Sequence, residues 1–264
     1  MADFGKFRRL HESGCFVIPN PWDAGSARLL EGLGFEALAT TSAGIAWSLG
    51  RHDNHVPLDD ALKRIEEICA AVRIPVNADF EGGFAVEPAG VALNVQRALS
   101  TGIAGISIED STGVADDPLF EFSHAVERVQ AAAEAVRGTG VLLTARSEGF
   151  IVGRPDLDET VRRLRAFADA GADCLYAPGI RSLDKVRAIV SAVAPKPVNV
   201  LVAGGWTTLT EMREAGVRRI SVGGALARAA WTGFLGAARE IASEGTFVQL
   251  GKAVQYADVE KLLP

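Results

Sequence analysis

Short, nearly continuous apolar runs alternate with segments of helical period from one end of the chain to the other. The runs are CFVIPN (15–20), ALATT (37–41), IPVNADF (74–80), GISIED (105–110), VLLTARSE (141–148), CLYAPG (174–179), PVNVLV (197–202) and RRISVGG (218–224). Read as strands, they number eight. Each is rich in Val, Ile and Leu instead of alternating apolar with polar, which is how parallel strands look when helices cover both faces of the sheet.

Between the runs lie amphipathic segments at 23–33, 58–72, 89–100, 122–137, 158–170, 182–194 and 208–215. Pro88 suits a helix start, where its missing N–H costs nothing, and Thr208-x-x-Glu211 fits a capping box. Gly34, Gly102, Gly171 and Gly216 each follow a helical segment, at the position where a left-handed residue stops a helix. No linker or low-complexity tract breaks the rhythm. The alternation predicts one α/β domain over 1–264, a (β/α)8 TIM barrel, with 225–264 as a C-terminal helical extension. An open doubly wound sheet is the competing arrangement, and the even spacing of eight units favours closure.

Composition narrows the partners. A chain of 264 residues with 48% hydrophobic and 23% charged content buries a substantial core. Its net charge of −6 is spread without a basic stripe, which argues against nucleic-acid binding. No stretch of about twenty apolar residues occurs, and MADFGKFRRLHESG carries no apolar signal segment, so neither membrane association nor export is expected. Cys15, Cys69 and Cys174 are odd in number, far apart and set in apolar sequence, as reduced core thiols are. A cytoplasmic protein with a small-molecule partner is the expectation.

In a (β/α)8 barrel the active site is built from the C-terminal ends of the strands. Those ends are polar here: Asn20 with Trp22 and Asp23, Thr41 and Ser42, Asp79 and Glu81, Glu109 and Asp110, Arg146 and Glu148, Tyr176, and Asn199. His52, Asp53 and His55 follow the second run on its loop. Asp23 and Ser26 have a plain alternative use as the cap of the next helix. Asp79, Glu81, Glu109 and Arg146 are harder to explain that way. Carboxylates crowded at one barrel mouth repel and stay ionised only beside a cation. Oxygen donors without His or Cys favour Mg2+, or Mn2+, over zinc. Arg146 then suits two-pronged capture of a substrate carboxylate, and Gly82 and Gly83 let the backbone pass close to metal or ligand.

These residues resemble the isocitrate lyase/phosphoenolpyruvate mutase superfamily over nearly the whole chain. The likeness is to its short bacterial members, the phosphoenolpyruvate mutase-like or carboxyphosphonoenolpyruvate phosphonomutase-like proteins. NPWDAGSARLLEGLGFEALATTSAGIAWSLGRHD is similar to the family's opening, DFEGGFA to its Asp-x-Asp-Thr-Gly-Tyr-Gly signature, and GISIED and LLTARSE to its Ile-Glu-Asp and Ala-Arg-Thr-Asp segments. The resemblance implies a Mg2+ shell of Asp53, Asp79, Glu81 and Glu109, with Asp79 foremost as direct ligand. It implies that Thr41, Ser42 and Ala43 offer hydroxyl and backbone N–H groups to an α-oxo carboxylate that Arg146 binds. It further implies lyase-type chemistry through a metal-stabilised enolate formed when a C–C or P–C bond breaks. Tyr176 as a catalytic group and Asn199 as a substrate contact complete the expected site.

The departures from the family pattern shape the expected reaction. Glu81 stands where the family has Asp, and Gly82 replaces Thr. The loop STGVADDPLF (111–120) has no Cys, Lys or His, whereas the family's lyases carry a Lys-Lys-Cys-Gly-His motif there with a catalytic thiol. The Lys/Asn-bearing loop of its mutases and phosphonopyruvate hydrolases is missing as well. The expectation is decarboxylation of an oxaloacetate-like acid, or cleavage of a related oxo or 2-hydroxy acid, with water, Tyr176, His52 or His55 as the acid. A P–C mutase or hydrolase remains an alternative. So does a phosphate-binding aldolase or isomerase built on the glycine pairs of LVAGGWTT and ISVGGALARAA, or a barrel that binds an oxo acid without turnover.

Trp231, Phe234 and Leu235 give 225–264 an apolar face. The resemblance implies a last helix that crosses to a neighbouring barrel, in a homo-oligomer of swapped dimers that pair into a homotetramer.

Overall fold

The computed structural model describes residues 3–263. Its strands are β1 (Phe16–Ile18), β2 (Leu38–Ala39), β3 (Val76–Asp79), β4 (Gly105–Glu109), β5 (Leu142–Arg146), β6 (Cys174–Tyr176), β7 (Val198–Leu201) and β8 (Arg219–Ser221). All neighbours are parallel, in the order β1-β8-β7-β6-β5-β4-β3-β2. The seam between β1 and β2 is bridged just past the strand ends. There the Ala39 N–H donates to the Pro19 carbonyl at 3.0 Å and Asn20 Nδ2 to the Thr40 carbonyl at 2.9 Å. The architecture is the (β/α)8 barrel that the apolar runs predict.

The helices are α1 (Phe4–Glu12), α2 (Ala24–Gly32), α3 (Ser42–Ser48), α4 (Leu58–Ala71), α5 (Pro88–Leu99), α6 (Phe122–Val136), α7 (Leu157–Asp169), α8 (Leu183–Val193), α9 (Leu209–Glu214), α10 (Ala225–Glu244) and α11 (Tyr256–Glu260). Their apolar stripes face outward-pointing strand residues: Val91 and Val95 of α5, Val129 of α6, and Leu164 and Phe167 of α7 pack in one cluster with Ile106, Ile108, Leu143 and Leu175. A fully buried side chain such as Phe167 contributes about 1.5–3 kcal/mol. Pro88 opens α5, the Thr208/Glu211 box caps α9, and the four helix-stop glycines all have φ between +83° and +110°.

Two helices are not marked by the strand-helix alternation. α1, capped by Asp3, inserts the fully buried Phe7 and the buried His11 at the foot of the barrel, against Phe16. Inside the barrel, Arg219 donates to Asn199 Oδ1 and Thr144 Oγ1, both at 2.9 Å, and its Nη1 meets His11 Nε2 at 3.2 Å. Burial and then the Arg219 charge push the His11 pKa down to about 3, so the imidazole serves as a neutral acceptor. α3 begins where the second apolar run was expected to end, with Thr41 as its N-cap.

The C-terminal part holds more than one helix, as expected. α10 leaves Phe234 60% exposed and buries only Ala227, while its main packing partner in the chain is the short 3-10 turn Gln249–Lys252. Among the described residues no helix is long and apolar enough to cross a membrane.

Candidate active site

The third strand ends in Asp79, and the chain turns sharply behind it. Asp79 Oδ2 accepts the Ser42 N–H at 3.0 Å, and its own N–H donates to Thr40 Oγ1 at 2.9 Å. Both bonds lock the carboxylate to the adjacent strand end. Its other oxygen, Oδ1, lies 2.6 Å from Arg146 Nη1. The same nitrogen stands 3.1 Å from Glu109 Oε2, and Arg146 Nε donates to Glu148 Oε1 at 2.9 Å. One guanidinium therefore ties together the ends of β3, β4 and β5.

Glu81, Glu109, Glu148 and Asp53 hold their protons more readily than in water. Burial, then the charges of Asp79 and Asp53, push the Glu81 pKa up to about 8. Burial raises Glu109 well above the carboxylate range against the pull of Arg146, and burial with Asp79 raises Asp53. Burial works against the Arg146 charge too, but Glu109, Glu148 and Asp79 more than offset it. Asp79, Glu109 and Glu148 pair with one cation, Arg146, while Glu81 and Asp53 have no cation in contact, and a further cation would favour the ionised form of all of them.

The predicted residues fall into two adjoining spaces. A cavity of about 180 Å³ is lined by Thr41, Ser42, Ala43, Asp53, Asp79, Arg146, Tyr176 and Asn199. Glu81 and Glu109 face a neighbouring space of about 440 Å³ toward the 111–113 turn, with the Arg146–Glu109 contact between the two. Among the described residues no three His, Cys, Asp or Glu side chains form a ready-made metal cage. The donors are nonetheless all oxygens at the edge of a polar cavity. They suit an ion such as Mg2+, which keeps several waters and takes few direct protein ligands. Size does not locate the site: a cavity of about 610 Å³ between residues 117–121 and the start of α7 contains none of these acids.

Not every predicted donor is free. Thr41 Oγ1 accepts the Gly44 N–H and the Ser42 N–H is committed to Asp79, so the Ser42 hydroxyl and Ala43 are the parts of this segment left for a ligand. Asn199 Nδ2 donates to Ser221 Oγ at 2.9 Å and its oxygen is taken by Arg219, which makes it a buried part of the cavity wall. Tyr176 packs under Arg146, whose Cζ is 5.2 Å from the ring centroid. His52 and His55 lie exposed on the loop, with His55 Nδ1 turned to the Asp53 carbonyl at 2.8 Å.

Asp23 and Ser26 form a capping box for α2, the plain use that the sequence allowed. The glycine-pair reading loses ground at β8, because Val222 and Gly223 donate their N–H groups to Asn20 Oδ1 at 2.9 and 2.8 Å. Glu148 and Asp110 are buried. Asp110 accepts the Glu148 N–H at 2.8 Å and pairs with Arg163 at 3.1 Å. Arg163 and Arg128 are the residues that sequence reasoning passed over. Both sit on amphipathic helices, where an Arg reads as a solvent-facing residue.

A parallel (β/α)8 barrel whose strand ends pair three acids with one arginine, with two further acids beside them, defines the general class. The family model for phosphoenolpyruvate phosphomutase matches residues 7–242, and the chain belongs to that family, within the isocitrate lyase/phosphoenolpyruvate mutase superfamily of lyases and mutases. A crystal structure of a Burkholderia cenocepacia J2315 protein, named provisionally as a lyase/mutase, superposes with a TM-score of 0.94 at 49% identity, covering 98% of this chain and 95% of that one. The 2-methylisocitrate lyase of Escherichia coli K12 is 29% identical over 206 residues, 74% of this chain and 69% of that protein. The oxaloacetate decarboxylase of Bradyrhizobium sp. (strain BTAi1) is 29% identical over 219 residues, 79% of this chain and 73% of that protein.

Proposed function

We propose that this protein is a Mg2+-dependent lyase that decarboxylates, or cleaves a C–C bond in, a small α-oxo or 2-hydroxy acid of the oxaloacetate kind. The observation that carries the reading is the Arg146 guanidinium shared by Asp79, Glu109 and Glu148 at a cavity of about 180 Å³, room for an acid of a few carbons. Asp79, with Glu81, Glu109 and Asp53 acting directly or through water, would hold the ion. Bound there, Mg2+ supplies a Lewis acid that stabilises negative charge on the oxygen next to the reacting carbon.

The chain's own residues supply the rest. Arg146 would hold the oxo-acid carboxylate through Nη2, since Nη1 and Nε are engaged by Asp79, Glu109 and Glu148, and the Ser42 hydroxyl with the Ala43 N–H would position its other oxygens. With oxaloacetate, the bond to the distal carboxylate breaks, its electron pair enters the enolate of pyruvate, and CO2 leaves. A proton then returns to the same carbon. Burial pushes the Tyr176 pKa up to about 12, so its phenol carries a proton at the cavity at neutral pH. His52 and His55 are exposed, which leaves Tyr176 or water as donor.

The relatives named as acting on 2-methylisocitrate and oxaloacetate support the lyase reading, as does a 111–120 loop without the Lys of a P–C mutase. Purified protein with Mg2+, offered a panel of oxo and 2-hydroxy diacids, tests it. Release of CO2 or pyruvate is expected. Release of neither, with oxalate still bound, would leave a binding protein. The exposed apolar residues of α10, Phe234, Leu235 and Ile241, support a homo-oligomer in which this helix packs on a neighbouring barrel. A monomeric mass by light scattering would contradict that arrangement.

A further inference from the structure

The turn that carries Glu81 has an unusual conformation. Two non-glycine residues, Glu81 (φ 49°) and Phe84 (φ 55°), flank Gly82 and the left-handed Gly83 (φ 76°). Bulky residues persist in this region only where their surroundings over-determine it. Here every backbone carbonyl from 81 to 86 has a partner. Glu81 O accepts the Glu109 N–H at 3.0 Å, and Asn94 Nδ2 donates to Gly83 O and Phe84 O at 3.0 and 3.2 Å. The remaining three, Gly82 O, Ala85 O and Val86 O, all accept from the guanidinium of Arg128.

Arg128 is an odd residue to find in that position. It stands on α6, 1% exposed, and all its hydrogen-bond partners are neutral carbonyls. Its Nε is buried without a partner, and its Cζ lies 3.9 Å over the Phe120 ring. Burial lowers its pKa only to about 10, so it remains charged at neutral pH. Asp110, Glu109 and Glu87 favour its charge from a distance, but none pairs with it directly, and a buried charge without a contacting carboxylate is costly where an apolar side chain could fill the volume. What the guanidinium adds is a planar fork of donors. Gly82 makes room for it: a Cβ there would stand 3.3 Å from Arg128 Nη2 and 3.4 Å from the Ser111 carbonyl.

We propose that Arg128 is a positioning residue that clamps the 81–86 turn by its carbonyls, so that Glu81 faces the acid rim, and couples that turn to the 111–120 loop through Phe120. The part of this that concerns metal rests on the proposed function; the clamp itself does not. Gly82, a departure from the family signature, leaves the fork uncrowded, where a Cβ would press on it at 3.3 Å.

Two readouts on the full-length protein test it, neither needing turnover. The first is amide hydrogen exchange without metal at Gly83 and Glu109, whose N–H groups donate to the Phe80 and Glu81 carbonyls of the turn at 2.9 and 3.0 Å; the second is Mn2+ affinity by electron paramagnetic resonance. Arg128→Met should speed exchange in the turn at least tenfold, with the β5 and β6 amides unchanged, and weaken Mn2+ by roughly 10–100-fold, the usual effect of removing an outer-shell support. Arg128→Lys, which keeps the charge and part of the donor set, should fold and fall between parent and Arg128→Met, and it decides the matter alone if Arg128→Met does not fold. In a Glu81→Gln background the Arg128 substitution should cost no further Mn2+ affinity, because the residue acts through Glu81. Unchanged exchange in the turn, or Mn2+ affinity within twofold of the parent, would overturn the proposal. A parent that binds no Mn2+ would sink the metal reading instead, with the exchange arm still deciding the clamp.

Discussion

Arg146 Nη1 lies 2.6 Å from Asp79 Oδ1, joining β5 to β3 across the barrel mouth. The partners on either side of this pair differ. Asp79 is anchored by the Ser42 N–H, whereas the hydrogen-bonding partners of Arg146 are all acids. Removing Arg146 therefore leaves Asp79, Glu109 and Glu148 in a partly dry site with no cation. Arg146→Ala should lower the melting temperature of metal-free protein, as breaking a buried pair costs about 3–5 kcal/mol, and Mg2+ should restore much of the loss. Calorimetric melts with and without Mg2+ check this, and oxalate affinity should stay weak in both.

The acid rim also sets a pH dependence. Glu81, raised to about 8 from an ordinary 4.5, keeps its proton in the folded state where the unfolded chain loses it. Its contribution to stability is complete below about pH 4.5 and is lost as pH rises through about 8. Metal-free protein should melt progressively lower as pH climbs toward 8. Mg2+ should raise the melting temperature more at pH 8 than at pH 6, and Glu81→Gln should flatten both trends.

At the other end of the barrel the sign is opposite. His11 is held near 3, below its unfolded 6.5, so the unfolded chain takes up a proton that the folded one refuses. Stability from this group is present above about pH 6.5 and drains away as pH falls toward 3, by about 2 kcal/mol at pH 5. Urea unfolding at pH 7 and pH 5 measures it. His11→Gln, which can still accept from Arg219, should lose less between the two.

Much of this was legible in the sequence, and the reasons for the rest are physical. The eight apolar runs mark the strands because a parallel strand covered on both faces has no polar side to disguise it. Asp79, Glu109 and Arg146 stood out because three charged residues at the ends of buried strands have no cheap explanation. α1 was not legible, since nine residues with a single buried aromatic and a buried histidine carry too short a pattern to show a period. Arg128 was hidden for a different reason: its spacing puts it in step with the buried Ala125, Val129 and Ala132, but an Arg in an apolar stripe ordinarily extends its charge to solvent, and nothing in the sequence marks the three carbonyls it meets. Asn199 was visible as a polar strand residue, but only the barrel interior reveals that Arg219 and Ser221 already hold it.

In the proposed reaction Tyr176 is, beside water, the group that would return the proton. Tyr176→Phe should reduce turnover by about 10²–10⁴-fold, the range of general acid catalysis, while oxalate affinity stays within a few fold of the parent. Equal loss of turnover and oxalate binding would show that the phenol holds the ligand instead of protonating it.

Oxalate mimics the enolate of pyruvate, and its binding reads the acid rim, the cation and Arg146 together. Calorimetric titration of oxalate with and without Mg2+ is the most direct test of the account. Binding should require Mg2+ and vanish in Asp79→Ala. Oxalate that binds equally well in the absence of a divalent ion, or to Asp79→Ala as to the parent, would contradict it.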